Sequence, residues 1–203
     1  ENMIIIYGSE GLDYSGSNGL ALACANLLIS CGHVGRVGNG LLPVWPGNNT
    51  QGAWDMGVRP VGMSVPKFTV GAGVVMLAGA NPIGDGDVFP EDAFVVVTEL
   101  FSTESTRCAD VVLPAQAFVE REGSYTSGDR RVQRFYSALP PRGQALPDWQ
   151  IFARLSETLG LGTVPTGTAA VLRQIAASIP HYAGITYERL AAVEQQWPPV
   201  GGR

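Results

Sequence analysis

Four short apolar runs constrain this chain more than any other feature. "MIIIYG" (3–8), "VVMLAG" (74–79), "FVVVTEL" (94–100) and "DVVLP" (110–114) are rich in β-branched residues and lack polar alternation. A strand with one wet face alternates apolar and polar residues. A strand covered on both faces reads as an unbroken apolar run. The segments between the last three runs are turn-rich or helix-compatible and longer than a hairpin needs, which predicts consecutive parallel strands.

Helical segments complete the pattern. "SGSNGLALACANLLISCG" reads as a helix capped by Ser15 or Ser17, with Leu20, Cys24, Leu27, Leu28 and Cys31 on one stripe and Gly32 as its stop. In "PDWQIFARLSETLG", Ile151, Phe152, Leu155 and Leu159 share a face behind Asp148, and Gly160 ends the run. "TGTAAVLRQIAASIP" repeats that logic, with Val171, Leu172, Ile175 and Ile179 inward and Pro180 at its end. "STESTRCA" has room for a turn or two of helix capped by Ser102, and residues 33–66 read as a long irregular segment. The fold class is α/β, with parallel sheets flanked by helices. Three regions are expected: 1–66 as a first α/β subdomain with a long loop, 67–162 as a second with parallel strands, and 163–203 as a helical and extended end.

Composition excludes several functions. The 203 residues carry a net charge of −5 with no basic tract, so neither nucleic acid nor an anionic membrane surface is an expected partner. No apolar run is long enough to insert in a bilayer. Three irregularly spaced cysteines fit no disulfide framework, and their odd number agrees with a reducing compartment. Cys24 and Cys31, seven residues apart on one helix, stand about 10 Å apart, too far for one tetrahedral ion to take both. No Cys-x-x-Cys occurs, which leaves no iron–sulfur cluster of ordinary spacing, and no metal ligands are expected. Neither His33 nor His181 has a convincing triad partner, and no catalytic residue is assigned. Glu120 and Glu122 are next-but-one neighbours and offer only a weak acid–base pair.

The carboxyl edge of a parallel sheet is where such folds take ligands. "AGANP" places Asn81 there, either to bond a ligand or to form an Asx turn before Pro82. Glu99 ends the next strand, where an acidic side chain accepts from a ribose, and Ser102 or Thr103 can cap the helix that follows; plain capping is the other reading.

Several motifs in order resemble one family. "NNTQGAWDMGVRP", "AGANP", "TELFSTESTRCADVVLPAQAFVEREGSYTSGDRRVQ" and "ALPDWQIFARLSETLG" are similar to the molybdopterin oxidoreductases over most of residues 3–190. Ser124 stands where that family usually has Thr, Ser127 where it has Asn, and Leu146 precedes "PDW". Only a short Val/Gly/Pro stretch lies between "DMGVRP" and "VVMLAG", where the family carries a further helix. The resemblance implies that a bound pterin dinucleotide would meet Asn81, Glu99, Thr103 and Asp110, with Asp110 alternatively ordering a turn.

Two branches share these signatures. "GHVGRVGNGLLPVWPGNNTQGAWDMG", "SGDRRVQRFYSALPPRG" and "YAGITYERL" look more like the large iron–sulfur subunit of bacterial NADH:quinone oxidoreductase, respiratory complex I. That reading implies a mainly structural piece of the NADH-oxidising arm without a cofactor of its own. Iron–sulfur clusters would lie in a preceding region, since the chain opens inside a strand and is taken as part of a longer polypeptide. It further implies other peripheral-arm subunits as partners and a peripheral place on the cytoplasmic side of the bacterial inner membrane. The alternative is the catalytic subunit of a formate dehydrogenase with a molybdenum or tungsten bis-pterin. A nucleotide module of another kind is disfavoured, because no Gly-x-Gly-x-x-Gly occurs. Arg130 and Arg131 are expected to pair with Glu120, Glu122 or Asp129, or to face a neighbouring subunit.

Overall fold

A computed structural model describes residues 1–8, 11–12, 14–58 and 70–196. In chain order the first elements are β1 (Ile4–Gly8), α1 (Tyr14–Ser30), β2 (Gly40–Val44), α2 (Thr50–Asp55), β3 (Val74–Ala78) and β4 (Phe94–Glu99). Then come α3 (Glu104–Arg107), β5 (Val111–Pro114), β6 (Gly123–Thr126), β7 (Arg131–Phe135), α4 (Asp148–Thr158), α5 (Thr168–Ser178), α6 (Tyr187–Ala192) and β8 (Gln195–Gln196). A 3₁₀ turn, Pro180–Tyr182, precedes α6. The fold is α/β, with parallel sheets flanked by helices.

The chain forms two compact units, neither of them a single stretch of sequence. One comprises 1–58, 124–134 and 172–203, the other 59–123 and 135–171. The expected boundary at 66/67 and the shortened stretch before β3 lie outside the described residues.

In the first unit, β1 and β2 pair in parallel, Ile4 opposite Gly40 and Gly8 opposite Val44. The helix α1 connects them. It closes at Gly32, whose φ of +66° suits a residue without Cβ, while His33 N–H returns to Leu28 C=O at 3.0 Å. Of its expected stripe only Leu28 is buried; Leu20 and Cys24 are half-buried, and Leu27 and Cys31 are exposed. The segment 33–66, read as irregular, contains both β2 and α2. Its strand "GLLPV" carries Gly40 and Pro43, which weaken the β signal. Proline is nevertheless compatible with an edge strand, where its missing N–H breaks no ladder.

A second sheet, β6-β7-β8, was not visible in the sequence. Residues 127–130 alone join β6 to β7, too few for a parallel crossover, and β8 runs antiparallel to β7. Val132, Ile185, Leu172, Tyr182, Tyr187 and Leu190 supply the buried core of this unit.

In the second unit, β3, β4 and β5 form the predicted parallel sheet, with β4 central. Val75, Val95, Val97 and Thr98 are its buried residues. On α4 only Ile151 is buried; Phe152 and Leu159 are exposed, and Leu159 already lies past the last helical turn. The helix α5 begins in this unit and continues in the first; its inward assignment holds for buried Leu172, with Val171 and Ile175 half-buried.

Candidate functional site

The carboxyl ends of β3, β4 and β5 converge on one edge of the second unit, and the loops leaving them position its polar side chains. After β3, Gly79 turns the chain at φ +59° while its N–H bonds Thr98 C=O at 3.0 Å. That turn delivers Asn81. Its Oδ1 accepts from the backbone N–H and the hydroxyl of Ser105, at 3.0 and 2.9 Å, and its Nδ2 donates to Glu104 at 2.8 Å. Ser105 is fully buried and also accepts from Ile83 N–H at 3.2 Å. Asn81 therefore clamps the β3 loop to α3, and the Asx turn before Pro82 gives way to this longer-range bond.

A Cβ on Gly84 would stand 2.1 Å from Asn81 Nδ2, so the clamp also depends on glycine there. The hydrogen bond from Asn81, then one from its own backbone and the charge of Arg107, hold the exposed Glu104 carboxyl below its ordinary range.

The other three expected ligand residues fare differently. Thr103 is the N-cap of α3, and it closes a reciprocal pair of bonds with Thr106. Glu99 ends β4 at the carboxyl edge; one carboxylate oxygen accepts from Leu100 N–H at 2.7 Å. Asp110 lies at the opposite end of the sheet. Its carboxylate accepts from Val95 N–H at 2.7 Å, near the start of β4, so it ties the amino edge and does not join the other three.

Sequence reading missed the polar groups that α4 and the β5 loop bring to this edge. Arg121 pairs with Asp148 in the first turn of α4, and Thr98 donates to the same carboxylate at 3.5 Å. Arg121 and Asp148 are 27 residues apart and no local period links them. Glu120 and Glu122 do not act together: Glu120 accepts from Ala117 N–H at 3.0 Å, whereas Glu122 accepts from the Thr168 hydroxyl.

Within the first unit, "NNTQGAWD" builds a hydrogen-bonded chain. Trp45 Nε1 donates to Gln51, Gln51 to Asp55, and the Tyr182 hydroxyl to Asp55, at 3.3, 2.8 and 2.9 Å. Buried Thr126 meets the Tyr182 hydroxyl at 2.7 Å, and its N–H donates to Asn49 Oδ1 at 2.9 Å. A Cβ on Gly52 would stand 2.3 Å from that same Oδ1, which explains the glycine in the motif.

Arg131 takes one of the expected partners, Asp129, and adds Glu194, at 2.8 and 3.0 Å. Burial raises the Asp129 pKa, but hydrogen bonds from Ser127 and Arg131 and the Arg131 charge outweigh it and leave the pKa lowered. No three His, Cys, Asp or Glu side chains are grouped to hold a metal ion among the described residues. No helix among them is long and apolar enough to cross a membrane.

The family model described as Molybdopterin oxidoreductase matches residues 1–158. The chain is 33% identical to the F420-dependent formate dehydrogenase 2 subunit alpha of Methanococcus maripaludis, across 98% of this chain and 35% of that protein. It is 32% identical to the formate dehydrogenase 1 subunit alpha of the same organism, across 87% of this chain and 32% of the relative. The corresponding subunit of Methanocaldococcus jannaschii is 32% identical across 98% of this chain and 35% of its own length. The chain thus spans about a third of the length of these relatives. These matches overturn the complex I reading, because the similar proteins are formate dehydrogenase alpha subunits. The motifs that suggested it build β2, α2 and the β6–β7 hairpin of the first unit. The partners and membrane placement expected above rested on that reading alone. The chain belongs to the molybdopterin oxidoreductase family.

Proposed function

We propose that this member of the molybdopterin oxidoreductase family is part of the catalytic subunit of a formate dehydrogenase. In this reading the carboxyl edge of β3-β4-β5 holds the nucleotide end of a pterin cofactor. The observation that carries the proposal is the 33% identity to a formate dehydrogenase alpha subunit across 98% of the chain.

The donor set at that edge fits a nucleotide. Glu99 presents a carboxylate to accept from ligand hydroxyls, and at Gly79 the space where a side chain would stand is open. Asn81 and Thr103 shape the edge rather than grip a ligand, since their polar atoms serve α3. Asp110 has no part in it. When bound, the cofactor would supply two-electron redox chemistry at its metal. This chain's residues bind and orient: Glu99 fixes the nucleotide, and the Arg121–Asp148 pair keeps α4 seated beside the strand ends. Formate-dependent dye reduction by the full-length protein, with and without Glu99→Gln, tests the reading. Activity with wild type and loss of bound cofactor in the variant are the expected results.

A further inference from the structure

A second cleft lies in the first unit, at the end of the β1-β2 sheet where the strands begin. This open cleft has a volume of about 760 Å³, within the range of roughly 300–1,000 Å³ typical of small-molecule sites. Ile4, Leu28 and Ile29 form an apolar wall; His33, Asn39 and Arg130 bring polar groups to the same space. None of these residues belongs to the β3-β4-β5 strand ends described above.

Hydrogen bonds and close packing hold its hairpin rim. Gly128 lies so close to β2 that a Cβ there would stand 2.3 Å from Pro43 C=O. Arg130 N–H bonds Ser127 C=O at 2.8 Å, and Asp129 is held by Ser127 and by Arg131, the latter at 2.8 Å. At the end of this turn Arg130 adopts φ +68°, the one non-glycine residue at positive φ among the described residues. Glycine or asparagine suits that backbone better, and an arginine there strains it. A strained residue in the lining of a cleft is the pattern of a functional position.

The charges agree. Arg130 and Arg131 line the cleft against the single carboxylate of Asp129, and Arg131 is also bound to Glu194 outside that lining. His33 receives or donates one ring hydrogen bond with Asn39 at 2.7 Å, which orients the imidazole. Ile4 and Ile29 are more than half exposed, an open apolar surface beside the cationic rim.

We propose that this cleft binds a small oxyanion with an apolar body, a carboxylate or phosphate monoester, its head on Arg130 and its body against Ile4, Leu28 and Ile29. This goes beyond the formate dehydrogenase reading and does not rest on it. The two ligand classes share negatively charged oxygens and an apolar body and differ in whether the head is a carboxylate or a phosphate.

The test is calorimetric titration of the full-length protein with phenyl phosphate, benzoate, inorganic phosphate and acetate. Phenyl phosphate or benzoate should bind saturably, and more tightly than the small anion with the same head; the tighter of the two identifies the head group. Arg130→Gly relieves the strained backbone while removing the cation. It should unfold at the same or a higher temperature and weaken binding about tenfold or more, the scale of a lost charge-assisted hydrogen bond. Arg130→Asn, which also tolerates this backbone, should behave alike. Ile29→Gln should retain the head and lose the preference for the apolar body. No saturable binding of either amphiphilic anion, or binding by the two Arg130 variants as tight as wild type, overturns the proposal.

Discussion

Asn81 Oδ1 accepts two hydrogen bonds from one residue, the backbone N–H and the hydroxyl of Ser105, 24 positions away. Both donors belong to a fully buried residue, and the bond joins the loop after one parallel strand to the helix after the next. The asparagine at the strand end thereby acts as a clamp of the ligand edge.

Asn81→Ala removes an acceptor from buried donors. The cost of leaving buried donors unsatisfied is about 1–3 kcal/mol. Urea unfolding of the full-length protein should show that loss, and a variant within a few tenths of wild type would remove the clamp from the account.

Tyr182→Phe deletes the hydroxyl that bridges Thr126 and Asp55 inside the first unit. A destabilisation of about 1–2 kcal/mol is expected, since buried polar partners are left behind. Asp55→Asn keeps an acceptor for Tyr182 and should cost less. Thermal unfolding of the two variants side by side checks the order.

Gly128→Ala must move backbone, because the new Cβ would meet Pro43 C=O at 2.3 Å. Overpacking of this kind costs about 1–3 kcal/mol. Gly57→Ala is the matched control: it is strained only by its φ of +86°, with open space around the added methyl. Equal loss in the two variants would deny the close approach of the hairpin to β2.

Asp129 gives a pH signature. Its folded carboxyl titrates below the ordinary value near 3.8, so the stabilisation is present above that value and lost as pH falls through the folded pKa. The carboxylate is largely solvated, which keeps the effect small. The stability difference between wild type and Asp129→Asn should be present at neutral pH and vanish in acid. A difference that persists unchanged to about pH 2, below the ordinary carboxylate range, would contradict the linkage.

Much of the sheet was readable because buried parallel strands write unbroken β-branched runs, and β1, β3, β4 and β5 fall where those runs stand. The strand β2 was hidden by Gly40 and Pro43. The β6–β7 hairpin was hidden because Val132 is its only fully buried apolar residue, between charged Arg131 and polar Gln133. At the site, chain position alone placed Asn81, Glu99 and Thr103 at one edge. The long-range partners were not readable: Ser105 reaches Asn81, and Asp148 reaches Arg121, through tertiary packing with no local spacing. Asp110 precedes β5 and therefore stands where that strand begins, at the amino edge. The choice between two branches of the family failed, and the relatives found are formate dehydrogenase alpha subunits.

The most direct test of the central claim is formate-dependent reduction of a viologen dye by the full-length protein, with metals quantified on the same sample. The account predicts turnover with formate together with stoichiometric molybdenum or tungsten. Full metal loading with no response to formate would contradict it.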